Sequence, residues 1–482
     1  MTPSMPQPEA EATLPDRFAD STATRLLPDI AEDTSRAETT RWWTSLNDPV
    51  LEALVDSALV GNLDLAAARA RLDELQARFR IARAPLVPSA TASGTANRQS
   101  QPLNTGLGAI FGGGRGGDSQ GNDEVRRVSF ETYSASLSLS YELDFWGRIR
   151  SQRNAALSQF FASAADVQNT RIAVISQTIS AYTQYATLQR QESLAGESIE
   201  LLENRFAVTE DRYTRGLATS FELYAVRQQL EQARADQPQI SARRYDAQTR
   251  LAVLTGRAAG REQAMLDSPS RKQLELEPVP GGLPSTLIDR RPDVMAAAAR
   301  LEAFRQQIGV ARAERLPRLS LTAEGGLESA QPEDLFDIDQ RVSTLIANLS
   351  APLFQGGALW ARVDVTKAQY QQQLATYEQT LLTAFQEVKA SLVADRQEQM
   401  AYERVLDQLD AAQASFEEQR SRYERGIGDY LALLDAERNF LAVQQRAATA
   451  RQQRINARLA LYRALGGPWT DADPLDDPRL FQ

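Results

Sequence analysis

The sequence contains no His and no Cys in 482 residues. That excludes the usual zinc and copper sites, thiol nucleophiles, imidazole bases and disulfides, so an enzyme would have only Asp, Glu, Lys, Ser or Tyr to work with. Catalysis is the class least supported, and no cofactor is expected. Basic residues are in deficit, 53 against 63 acidic for a net charge of −10, which argues against a nucleic-acid partner. No stretch reaches the ~18 consecutive apolar residues of a membrane-spanning helix. Residues 1–41 are rich in Pro, Ala and acid, lack an apolar signal-peptide core, and read as an extended tail. What remains is a chain with 42% hydrophobic residues, enough to fold, and long enough for two or three ordinary domains.

The chain is a duplication. "RYTRGLATSFELYAVRQQL" from Arg212 and "RYERGIGDYLALLDAERNF" from Arg422 share Arg-Tyr-x-Arg-Gly and the apolar positions after it, 210 positions apart. "ARLDELQARFRIARAPLVP" (70–88) aligns with "ARLEAFRQQIGVARAERLP" (299–317) at a larger offset, 229. The difference lies between Pro88 and Phe145, where the first copy carries the Gly-rich insertion "NTGLGAIFGGGRGGDSQGND". No Gly-Lys-Ser/Thr follows, so it reads as a flexible surface loop and not as a phosphate cradle. Each copy reads as short helix, β-hairpin, very long helix, corner and shorter helix. The long helices, 148 to about 212 and 358 to about 424, repeat apolar residues at helical spacing: Ile172, Ile175, Ile179 and Tyr182 in one, Leu381, Phe385, Val388 and Leu392 in the other. At 1.5 Å per residue each is roughly 100 Å long.

The domain reading is therefore a tail 1–41, a first repeat 42–257 with its hairpin at about 89–145 and its long helix and corner at 148–257, and a linker 258–288. A second repeat follows at 289–467, with hairpin 318–353 and long helix and corner 356–467, then a tail 468–482. The strand stretches alternate. In "YSASLSLSYEL" (133–143) Tyr133, Ala135, Leu137, Leu139, Tyr141 and Leu143 share one face and four serines share the other with Glu142. A soluble antiparallel sheet has the same period, but the ~10-residue stretches with aromatics near their ends (Phe130, Tyr133, Tyr141, Phe145, Trp146) favour a membrane barrel. Four strands cannot close a barrel, and an open edge cannot face lipid. The chain must oligomerise, as a dimer with eight strands or a trimer with twelve.

The segments "YELDFWGRIR" (141–150), "LPSTLIDRRPDV" (283–294), "APLFQGG" (351–357) and "RYERGIGDYLALLDAER" (422–438) carry a resemblance to TolC-like outer membrane factors. Within that family they are most similar to the multidrug efflux branch of NodT-like lipoproteins, and the likeness extends over 42–467. It implies a mainly α protein with a transmembrane β-barrel: a homotrimer whose twelve-stranded barrel in the bacterial outer membrane continues as a long periplasmic α-helical barrel. Four helical columns per chain, ~10 Å apart, would leave a bore of roughly 30 Å. The linker 258–288 and both tails would form an equatorial belt. Most members of this branch begin, once mature, with a lipidated Cys, and this sequence has none. The function implied is the outer membrane channel of a tripartite efflux pump, a passive duct for drugs and other small molecules. Its partners would be a periplasmic adapter (membrane fusion) protein, an inner-membrane pump of RND type and outer membrane lipid. A type I protein-secretion duct on the same fold and a soluble helical scaffold are the alternatives.

The two corners fall at the periplasmic tip in this reading. Gly216 and Gly426 supply left-handed turns, and Thr219 and Asp429 stand where N-caps would. Family likeness makes the tips, Gly216 and Leu217 with Gly426 and Ile427, the adapter-docking points. It makes Leu431, Asp435 and Arg438, with Tyr423, the constriction that closes the resting duct. Leu431, Asp435 and Arg438 lie on one helical face at i, i+4 and i+7. Their counterparts Phe221, Ala225 and Gln228 carry no charge. The Gly-rich segment generates the first prediction. Deleting 104–122 should leave the oligomer and its melting temperature nearly unchanged, because halving a loop changes closure entropy by only ~0.6 kcal/mol. Loss of the oligomer on size-exclusion chromatography would show that the segment has a structural part.

Overall fold

The computed structural model describes residues 42–102, 127–258, 260, 266, 276, 288 and 290–467. The readings for both tails, for the Gly-rich segment and for most of 258–288 lie outside the described residues. In chain order the elements are α1 (Pro49–Gly61), α2 (Leu63–Arg83), β1 (Ser89–Pro102), β2 (Arg127–Leu143), α3 (Arg148–Thr214) and α4 (Ser220–Leu254). The second copy supplies α5 (Pro292–Ala313), β3 (Arg318–Ser329), β4 (Arg341–Ser350), α6 (Ala358–Glu424) and α7 (Tyr430–Ala464). The long helices α3 and α6 are 67 residues each, and the returning helices α4 and α7 are 35 each. Among the described residues no helix is long and apolar enough to cross a membrane.

Two compact units emerge, and the first comprises Leu75–Gln159 and Leu301–Gln373. It holds a single antiparallel sheet in the order β1-β2-β3-β4. The register sorts side chains by face. Thr91, Ser93 and Thr95 lie opposite Ser138, Ser136 and Ser134, and Ser138 lies opposite Glu324, which in turn meets Thr344. The hydroxyls of Ser93 and Ser136 are 2.9 Å apart. The other face carries Ala90 and Ala92, Leu137 and Leu139, Ala323 and Leu345, the leucines all exposed in the single chain. Each outer edge, on β1 and on β4, lacks a strand partner among the described residues.

The turn from β2 into α3 is fixed by carboxylates. Glu142 takes a forked pair of hydrogen bonds from Arg148, at 2.9 Å to each oxygen from one guanidinium nitrogen. Asp144 accepts from the backbone N–H of Ile149 and Arg150, which caps the first turn of α3. Burial works to raise the Asp144 carboxyl, but those bonds and the Arg150 guanidinium prevail and hold it below its ordinary value. The Trp146 indole donates to the Pro317 carbonyl at 2.8 Å, which ties the turn leaving β2 to the one entering β3.

The second unit is built around α3. Its buried Ile175, Ile179, Tyr182 and Tyr185 meet Leu51 and Leu54 of α1, Leu251 and Leu254 of α4, and Ile455 and Leu459 of α7. Burying each such side chain contributes roughly 1.5–3 kcal/mol. The Tyr182 hydroxyl donates to Asp48 at 2.6 Å while Asp48 also caps α1 through Val50 and Leu51. The duplication repeats one joint. The Asn62 side chain, at the start of α2, donates to the Leu254 carbonyl at the end of α4. At the equivalent place Arg291, just before α5, donates to the Ala464 carbonyl at the end of α7. Gly256 and Gly466 follow these helix ends with φ of 67° and 80°. At Gly256 the approach is so close that an added Cβ would overlap the Gly61 carbonyl. Short helices thus meet returning helices end to end.

Two buried arginines here are paired with carboxylates. Arg458 and Asp395 form a forked ion pair at 2.7 and 3.1 Å, with side chains 3% and 8% exposed. Arg291, also buried, binds Asp293 and Glu387 besides its carbonyls. Asp395→Ala would remove the carboxylate from a buried guanidinium and should cost ~3–5 kcal/mol. Asp364→Ala removes an exposed pair with Lys367 and should cost at most ~1 kcal/mol. Thermal melts of the two variants should differ clearly, and equal melting temperatures would mean the Arg458 site relaxes to water.

Candidate functional site

Both corners lie in the second unit and are built alike. At the first, the N–H of Gly216 donates to Tyr213 O at 2.9 Å and that of Leu217 to Arg212 O at 2.8 Å. At the second, Gly426 donates to Tyr423 O and Ile427 to Arg422 O, at 2.9 and 3.1 Å. This paired pattern satisfies the last carbonyls of a helix and requires a left-handed residue. Gly216 and Gly426 have φ of 71° and 77°, and a Cβ on either would meet nothing, so backbone conformation alone selects glycine. Thr219 caps α4 through Glu222 N, and Asp429 caps α7 through Ala432 N. Leu217 and Ile427 protrude, each 66% exposed.

The corners touch. Arg212 of the first donates to the Tyr423 hydroxyl of the second at 2.6 Å, and the Tyr423 ring packs against Tyr430 at 5.7 Å. Beyond Tyr430, helix α7 has two unlike faces. Leu433, Leu434 and Glu437 are buried, whereas Leu431, Asp435 and Arg438 are exposed. The charged pair is loose: Arg438 and Asp435 stand 4.0 Å apart with side chains 68% and 79% exposed. Within one chain such a pair contributes less than ~1 kcal/mol. The structure therefore brings Leu431, Asp435 and Arg438 to one open face, and places Tyr423 at the contact between corners.

Three features escaped the sequence reading. Glu437, 4% exposed at its side chain, forms a short ion pair with Arg205 of α3. Tyr430 sits beside that pair, and its phenol is pushed up by burial against the opposing pull of Arg205. The Arg205–Glu437 pair ties the buried side of α7 to α3. The third is Gly428, where an added Cβ would come within 2.7 Å of Tyr423 N and 2.9 Å of Arg422 C. The first corner has Ala218 at the matching position, so comparing the copies gave no sign that a glycine is required there. Glu437 gave no local signal, since its partner lies 232 positions away.

Strands of membrane character on a duplicated frame of very long helices define an outer membrane channel. The model of the outer membrane efflux protein family matches residues 54–257 and 283–467. Outer membrane protein OprJ of Pseudomonas aeruginosa is 34% identical over 442 residues, covering 91% of this chain and 88% of that protein. The toluene efflux pump outer membrane protein TtgC of Pseudomonas putida is 33% identical over 450 residues, covering 92% and 88%. Among solved structures, the outer-membrane channel OprN superposes with a TM-score of 0.81 at 28% identity, covering 98% of this chain and 99% of that one. The chain belongs to the outer membrane efflux protein family. Its fold class is that of the family's trimeric channels, with a β-barrel part in the outer membrane and a helical barrel, and the family is one of transport ducts.

The corner geometry carries its own prediction. Gly428→Ala should push Arg422 and Tyr423 apart from the turn, so amide exchange across 422–432 should rise while that at 212–222 stays put. Ala218→Gly should leave both corners nearly unchanged, and similar exchange in both variants would show that the second corner has room for a methyl group.

Proposed function

We propose that three copies of this chain form a passive efflux duct for drugs and other small molecules, closed at its tip by the second corner. The observation that carries the duct is the sheet: hydroxyls on one face, apolar side chains on the other, and an unsatisfied edge at each end. Three such sheets joined edge to edge satisfy every strand and leave a wet interior with a lipid-facing exterior. A duct needs no catalyst, and no catalytic role is assigned to any residue. The relatives' pump names favour this reading over a protein-secretion duct or a soluble scaffold.

Leu431, Asp435 and Arg438 serve as the gate. About a three-fold axis the open face of α7 meets its own copies, so three carboxylates crowd together and each needs an arginine beside it. A pair that is loose in one chain becomes a ring of alternating charge in three. Tyr423 holds this corner to the first through Arg212. The exposed tips at Gly216, Leu217, Gly426 and Ile427 dock a periplasmic adapter, which connects the duct to an inner-membrane pump of RND type. The two repeats, 42–257 and 289–467, supply equal shares of the wall.

Single-channel recording in planar bilayers tests the gate. Asp435→Ala with Arg438→Ala should raise the resting conductance several-fold, and high salt should open the unaltered protein in part, since contacts in a wet pore are screened within ~10 Å. Conservative changes at Ala225 and Gln228 should be nearly silent. Unchanged conductance in the double variant, with opening from Ala225 or Gln228, would move the gate to the other corner.

A further inference from the structure

The two hairpins are not electrically equal. At the offset that aligns the repeats, Glu324 and Glu328 of β3 correspond to Thr95 and Gln99 of β1, both neutral. Strand formation therefore does not require a carboxylate at either position. Glu324 lies opposite Ser138 and Thr344, and Glu328 opposite Ser134, so both belong to the hydroxyl-bearing face. Both are exposed, and neither side chain makes a hydrogen bond or ion pair among the described residues. They contribute nothing visible to holding the sheet together.

Other charges on that face lie toward the helices. Glu142 is neutralised by Arg148. Arg318, opposite Ser350, is free of ion pairs among the described residues. It stands six residues before Glu324, about 20 Å along the strand. Arg98 and Glu131 pair with each other on the opposite face. Among the described residues, the half of the polar face farther from the helices thus carries two unopposed carboxylates per chain.

We propose that Glu324 and Glu328 make the outer half of the barrel selective for cations, so that small inorganic and organic cations leave more readily than anions of equal size. The inference rests on the duct reading above, with three chains around one lumen. Twelve strands ~4.8 Å apart and tilted ~40° put the wall roughly 12 Å from the axis. Six carboxylates, spaced ~14 Å apart along each β3, then lie within about one screening length of any permeating ion at 0.1 M salt, and well within it at 0.01 M, where that length is ~30 Å. At 1 M it shrinks to ~3 Å and the effect must vanish. The three copies of Arg318 mark the opposite, helix-side mouth, and being half as many as the carboxylates they cannot cancel them even where screening is weak.

Reversal potentials of the full-length protein in a tenfold KCl gradient test this. All variants are compared in the Asp435→Ala, Arg438→Ala background, so that the gate contributes equally. At 10/100 mM the background protein should prefer K+ over Cl−. Glu324→Gln with Glu328→Gln should lower that permeability ratio at least twofold, and Thr95→Glu with Gln99→Glu should raise it. At 0.3/3 M the ratios should converge. Equal ratios at low salt in a conducting protein, or a preference for Cl− before the glutamates are changed, would overturn the inference and leave the duct standing. A protein that carries no current would remove both.

Discussion

An unpaired strand edge cannot be left in hydrocarbon, and the rest of the molecule follows from that. Among the described residues the chain makes four strands, and its sheet ends with an open row of N–H and C=O groups on β1 and on β4. Only copies of itself can supply matching edges in matching register. Closure then dictates the symmetry, and the symmetry gives meaning to features that are idle in a single chain. The leucines of one sheet face find lipid, and the hydroxyls find water.

Duplication solves the wall and leaves room for difference. Where the copies agree, the residues answer to backbone geometry: Gly216 with Gly426, Thr219 with Asp429, Gly256 with Gly466. Where they disagree, one copy has taken on a chemistry that the fold does not need. Asp435 stands where the first copy has Ala225, and Arg291 does with a guanidinium what Asn62 does with an amide, reaching the carbonyl of a returning helix while also gathering Asp293 and Glu387. Internal comparison separates the demands of folding from those of function without any second protein.

Much of the fold was legible because its signals are local. Period-two serines and leucines over 133–143 mark a strand with one wet and one apolar face, and proline-free stretches with helical spacing mark α3 and α6. Arg-Tyr-x-Arg-Gly marks a helix end by its glycine, and the capping residues that follow start the next helix within two or three positions. The exposed face of α7 could be read from spacing alone. Its buried face could not. Glu437 looks like any solvated glutamate until Arg205, more than two hundred residues earlier, is brought against it by packing that no local pattern encodes. Gly428 is similar: only the closeness of the Tyr423 backbone distinguishes a required glycine from an incidental one.

The end-to-end joints have a consequence for the order in which the protein can be made. Asn62 must wait for Leu254, 192 residues later, before its joint can close. Tyr133 of β2 must wait for Ser329 of β3. Only the hairpins β1–β2 and β3–β4 and the two corners can form from neighbouring sequence. Such distant pairings are slow to find, so the nascent chain spends its early life as two separate hairpins with their apolar faces and edges uncovered, a state prone to aggregation. The duplicated design, economical once assembled, therefore obliges the cell to shepherd each subunit until both halves and all three copies are present.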